Sequence, residues 1–147
     1  THRHLPPRHR SLRAVFDYSW NLLTPSEQQI FSRLSVFRGG FSREAAAQVA
    51  GANLPQLLLL VDRSLVQRTA VGRYAIHNII RQYANEHLLA VPAAYQETVE
   101  SHASYFLQWL GEQDAVLRGP AQKEGLTAVA TEDDSYTHLT LPTIFPV

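Results

Sequence analysis

Between Leu65 and Ile76 the apolar pattern of this chain leaves helical spacing, becomes a short extended pattern, and then returns to helical spacing at once. Leu65-Val66-Gln67-Arg68-Thr69, a turn at Ala70-Val71-Gly72, and Arg73-Tyr74-Ala75-Ile76 predict a short β-hairpin. Directly after it, Ile76, Ile79, Ile80, Tyr83, Ala84 and Leu88 share one face of a helix.

Helices are predicted on the other side of the hairpin as well. Ser11 serves as N-cap for a helix through Leu23, with Leu12, Val15, Phe16, Trp20 and Leu23 at helical spacing. Thr24-Pro25-Ser26-Glu27 is a sharper start, with an N-cap threonine, proline at the first helical position and a capping-box glutamate. That helix carries Ile30, Phe31 and Leu34 and is expected to end at Gly39-Gly40. Ser42 caps a short third helix with Ala45, Ala46, Val49 and Ala50 inward, closed by Gly51. A fourth runs from Leu54 to Ser64 with Leu57, Leu58 and Val61. Helices, then a hairpin, then another helix predict a mainly α fold of the winged-helix kind, a helix-turn-helix variant with a short β-hairpin.

Downstream, Pro92 opens a helix to about Asp114 whose stripe includes Tyr95, Val99, His102, Phe106 and Leu110. Leu117-Arg118-Gly119-Pro120 breaks the chain before another helix at Ala121–Ala130. Such a pair suits the first hairpin of a TPR-like α-solenoid, although a single pair does not establish a repeat. The expected divisions are a basic linker over 1–10, a winged-helix domain over 11–91, the start of a helical-repeat region over 92–134, and a tail over 135–147. The tail, SYTHLTLPTIFPV, lacks helical periodicity and resembles translated adapter sequence, so it is read as non-native and disordered in preference to a native extended end.

Composition narrows the function. Thirteen basic residues balance thirteen acidic ones in 147, so there is no general electrostatic drive toward nucleic acid or anionic membranes. The absence of cysteine excludes disulfides and thiolate metal sites and is compatible with a cytoplasmic location. No apolar run approaches membrane-spanning length. The chain lacks a phosphate loop, a His-Glu-x-x-His motif and a Gly-x-Ser-x-Gly elbow, so an enzyme is not expected. His2, His4 and His9 fit a solvated linker better than a metal site, which needs ligands in fixed geometry.

The segment Tyr74–Ala84 stands above this background. Its strand ends near Ile76 and its helix begins near Asn78, which puts His77 at a helix N-terminus. Unpaired N–H groups and the positive end of the helix dipole favour a phosphate there, and a histidine adds a directed donor. A histidine that caps its own helix or bridges within the domain suits the same position, and on residue chemistry alone is the better reading.

Ile76-His77-Asn78-Ile79-Ile80 resembles the Met-His-Asp motif of the bacterial NB-ARC/STAND signalling ATPases, including AfsR and LuxR-like regulators. Ser11–Trp20, Leu34–Phe41, Val61–Val66 and Ile80–Ala84 resemble the same region in order, so the likeness covers about residues 8 to 134. The resemblance implies a regulatory module that senses ADP through His77, with Asn78 in a weaker role because it replaces the motif's acid. It further implies ADP or ATP as cofactor of the parent protein only, and an upstream nucleotide-binding domain and downstream helical repeats as partners in cis. Against DNA binding stands the candidate recognition helix, mostly leucine with no basic residue before Arg63. Arg63, Arg68 and Arg73 near the hairpin, with Arg3, Arg8, Arg10 and Arg13, keep a DNA-binding winged helix as the rival reading. A helical protein-interaction module using Tyr95, Phe106 or Trp109 is the third.

Overall fold

Side-chain caps set most of the helix starts in the computed structural model, which describes residues 7–117. The elements are α1 (Pro7–Leu22), α2 (Pro25–Leu34), β1 (Phe41–Ser42), α3 (Arg43–Ala50), α4 (Leu54–Asp62), β2 (Gln67–Ala70), β3 (Arg73–Ala75), α5 (Asn78–Leu89) and α6 (Pro92–Leu117). α2 opens on the expected capping box: Glu27 N–H donates to Thr24 Oγ1 at 3.2 Å, and Thr24 N–H donates to Glu27 Oε1 at 2.9 Å. Ala45 N–H donates to Ser42 Oγ at 3.1 Å at the start of α3. α4 has a second box that the leucine run concealed, with Asn53 and Gln56 exchanging backbone-to-side-chain bonds of 2.9 Å.

Two helix limits differ from expectation. α1 begins at Pro7, so Ser11 lies inside it and 7–10 are helical, not linker. Proline suits a first turn, whose N–H groups lack partners in any case. α2 stops at Leu34, well before Gly39-Gly40. Ser35, Val36 and Phe37 donate to the carbonyls of Ser32, Arg33 and Leu34 at 3.2 Å, a tightened last turn that throws Phe37 inward.

The hairpin is present, and a third strand joins it. The sheet order is β1-β3-β2, all antiparallel, with Phe41 opposite Tyr74 and Arg68 opposite Tyr74 on the other side. Ala70 pairs with Arg73, leaving Val71-Gly72 as the turn and Thr69 as an extra residue in β2. Gly72 has φ 73°, a conformation that favours glycine. A Cβ on Gly40 would lie 3.2 Å from the Tyr74 carbonyl oxygen, so a bare backbone lets β1 approach β3.

The helix-turn-helix and wing thus run α2, β1, α3, α4, β2, β3, around a core in which Phe31, Phe37, Phe41, Leu57 and Leu60 are at most 2% exposed. Each contributes about 2–3 kcal/mol of burial free energy. Phe37 stacks on Phe41 at 4.8 Å, and Phe41 on Tyr74 at 6.2 Å. α1 covers this unit through Phe16, which meets Phe31 at 6.2 Å and Tyr83 of α5 at 5.4 Å. α6 packs on α2, α3 and α5, burying His102 edge-on to Phe37 at 4.9 Å together with Thr98 and Phe106. α6 therefore shares the core of the winged helix. The helix expected at 121–130 and the tail over 135–147 lie outside the described residues.

Candidate functional site

The junction of β3 and α5 carries the two residues singled out by sequence. His77 is the N-cap of α5, and its Nδ1 accepts from Ile79 N–H at 3.3 Å. One of the unpaired donors of that helix end is thus satisfied by the helix's own cap. Asn78 Oδ1 accepts from Arg81 Nη2 at 3.4 Å, one turn along the same helix. Arg81 also donates through Nη1 to the Ser35 carbonyl at 3.4 Å, and Asn85 Nδ2 donates to Ser35 Oγ at 3.2 Å, joining α5 to the end of α2. The capping reading of His77 describes what the side chain does.

A different surface surrounds the wing. All four residues of β2 are exposed, and Val71 at its tip is fully so. Arg68 of β2 and Arg43 at the start of α3 line one depression of about 350 Å³ with Glu44, Leu54, Gly72 and Tyr74. Arg63 caps the end of α4 and is exposed, while the guanidinium of Arg73 lies against Gly40. The outward side of α4 presents Leu54, Leu58 and Asp62, and its Leu57 and Leu60 face the core. Arg43 was missed at the sequence level, since an arginine after a capping serine carries no local mark of lying beside a wing.

Most other cations on the helical side are tied down. Arg13 of α1 is ion-paired with Glu86 and lies over the Tyr83 ring at 4.3 Å. Its pKa is raised, chiefly by the hydrogen bond to Glu86. Arg33 donates to Glu97 Oε1 of α6 at 3.0 Å. His87 stacks on Trp20 at 3.8 Å, and burial lowers its pKa. Of the aromatics considered for partner binding, Phe106 is buried, and Tyr95 and Trp109 are half-buried.

The chain contains no catalytic motif, and the described residues hold no group of three His, Cys, Asp or Glu side chains able to bind a metal. Among the described residues no helix is long and apolar enough to cross a membrane.

The chain is 43% identical, over 91 aligned residues, to proteins of Mycobacterium tuberculosis and Mycobacterium bovis, each described, provisionally, as an HTH-type transcriptional regulator. The match covers 55% of this chain and 10% of each relative, so the chain spans about a tenth of the length of the curated relatives it matches. No family model and no solved structure matches the chain.

These relatives overturn the NB-ARC/STAND resemblance. Their description is of helix-turn-helix regulators and names no ATPase. With it fall the ADP-sensing role of His77 and Asn78, the ADP or ATP of a parent protein, and the upstream nucleotide-binding domain as partner. The expectation that DNA binding is unlikely is corrected too. It set the leucines of α4 against hairpin arginines read as merely solvated, and it left out Arg43, which lies with Arg68 in one depression beside the wing.

Proposed function

We propose that this chain provides a DNA-binding winged-helix domain of a transcriptional regulator. The observation that carries the reading is the exposed wing, whose Arg68 shares a depression with Arg43 beside the start of α4. The description of the mycobacterial relatives supports the same class. Arg43, Arg63 and Arg68 are taken as phosphate contacts that fix the position of the duplex. The start of α4 offers mainly Leu54 and Leu58, side chains suited to thymine methyl groups and unable to make bidentate hydrogen bonds to a purine. Binding is therefore expected to be strongly salt-dependent and weakly sequence-selective.

Fluorescence anisotropy with a labelled DNA duplex of about two helical turns tests this at salt concentrations from about 50 to 200 mM. The double variant Arg43→Ala/Arg68→Ala is expected to lower the salt slope by about 2 and to weaken binding at least about tenfold. Absence of wild-type binding at the lowest salt would remove the proposal. A cytoplasmic location belongs to the same reading, as does the assignment of 92–134 to the start of a TPR-like region. Leu107, exposed on α6, is available to a following helix there.

A further inference from the structure

α1 has two apolar faces. Phe16 and Leu23 are buried, and Leu12 and Trp20 pack beside them, which accounts for the inner face. Val15, Tyr18 and Leu22 lie on the opposite side of the helix and are 64%, 69% and 51% exposed. Their spacing of three and then four residues is that of a coiled-coil seam, narrower than the stripe a helix turns toward a core. The exposed positions from Ser11 onward are Ser11, Ala14, Val15, Tyr18, Asn21 and Leu22, none of them charged. The solvent side of a surface helix normally carries charge, so this uncharged face with three large apolar side chains marks a contact surface.

The pattern along the seam indicates its occupant. A second α1 turned antiparallel about a two-fold axis at Tyr18 sets Val15 of each copy beside Leu22 of the other, with Tyr18 beside Tyr18. Ala14 and Asn21 meet in the same way on the other edge. Charge favours this arrangement. α1 has no basic residue in its own last turn, and the antiparallel pair brings the exposed Arg10 of each copy to the negative C-terminal end of the other helix. A parallel pair would set the two Arg10 side chains side by side. We infer that α1 is the contact surface of a two-fold homodimer, in which two copies of this chain pair antiparallel through Val15, Tyr18 and Leu22. No residue of α1 lines the depression beside the wing, so both wings stay available. The seam is about 17 Å long at 1.5 Å per residue. It covers less than the roughly 800 Å² per partner of a standard interface, so the pair is reversible, with a Kd in the micromolar range.

Sedimentation equilibrium of the whole 147-residue chain, at concentrations from about 1 to 500 µM, tests this without DNA. The mass is expected to rise from that of one chain to that of two. Tyr18→Arg and Tyr18→Glu each set like charges against each other at the axis and are expected to weaken pairing at least about tenfold. Because Tyr18 is exposed, both variants should keep the circular dichroism spectrum of the wild type. An equimolar mixture of the two is expected to pair again, since opposite charges then face each other. A single-chain mass across the whole range would overturn the inference, as would undiminished pairing in Tyr18→Arg. A mixture that fails to recover would overturn it as well, because Tyr18 would then not face its own copy.

Discussion

The two sides of this molecule use arginine in opposite ways. On the side built from α1, α2, α5 and α6, Arg13 and Arg33 each reach a glutamate on another helix, and Arg13 also covers Tyr83. On the side built from α3, α4 and the wing, Arg63 and Arg68 are exposed, and Arg43 meets only its neighbour Glu44 at 3.9 Å, with both side chains more than half exposed. An exposed neighbouring pair of that kind holds little together. The same residue type is therefore structural where helices converge and available for a partner where the hairpin stands out. A near-zero net charge hides this, since the sum does not say which cations are already matched.

The comparison breaks most visibly with pH. His102 is 2% exposed, and burial lowers its pKa to about 4, against about 6.5 in an unfolded chain. The fold favours the neutral imidazole, so its contribution is complete above about pH 6.5 and is lost as the pH falls toward 4. The full loss is about 3 kcal/mol. Urea midpoints at neutral and acid pH should show a steep decline in the wild type and a shallower one in His102→Gln. Equal declines in the two would mean that the helical side does not hold this group neutral. At neutral pH the same variant should leave DNA affinity unchanged.

A smaller effect is expected at Arg13. Removing it gives up an ion pair to a half-exposed glutamate and a cation–π contact, together about 1–2 kcal/mol. Arg13→Ala should therefore lower the thermal midpoint while leaving the salt slope for DNA as in the wild type. Arg68→Ala should do the reverse. If Arg13→Ala reduces the slope as much as Arg68→Ala does, the division between structural and available arginines fails.

What the sequence makes legible follows the range of each interaction. Thr24-Pro25-Ser26-Glu27 and the hairpin around Gly72 are local; the capping box stands where the pattern puts it, and the hairpin is present with its first strand at Gln67–Ala70, starting two residues after the expected Leu65. β1 has two residues and acquires its strand geometry only by pairing with Tyr74 and Arg73, more than thirty positions away, so no periodicity announces it. The end of α2 at Leu34 similarly reflects the burial of Phe37 and not the glycines that follow. His77 was visible as a helix-start residue, but whether its ring turned outward or onto Ile79 is a matter of one rotamer. The candidate interface was least legible. Which arginines have carboxylate partners depends on contacts such as Arg13 with Glu86, 73 positions apart.

The smallest effect concerns the joint between α4 and the wing. Ser64 has φ 61°, the only positive φ outside glycine among the described residues. It ends α4 with a reciprocal pair of bonds, Ser64 N–H to the Val61 carbonyl at 2.9 Å and Leu65 N–H to the Leu60 carbonyl at 3.0 Å, the arrangement in which glycine is the favoured residue. The left-handed conformation costs a non-glycine residue about 1–2 kcal/mol, and glycine returns about half of that gain through its freer unfolded chain. Ser64→Gly is thus expected to stabilise by about 0.5–1 kcal/mol, raising the thermal midpoint by a few degrees. Because Ser64 is exposed, no buried contact is lost. Affinity for DNA should stay level, since the two backbone bonds still direct the chain from α4 into β2. A more stable variant that binds DNA less well would show that the restricted backbone of serine helps aim the wing, and fold and interface would then share a residue that the two-sided comparison keeps apart.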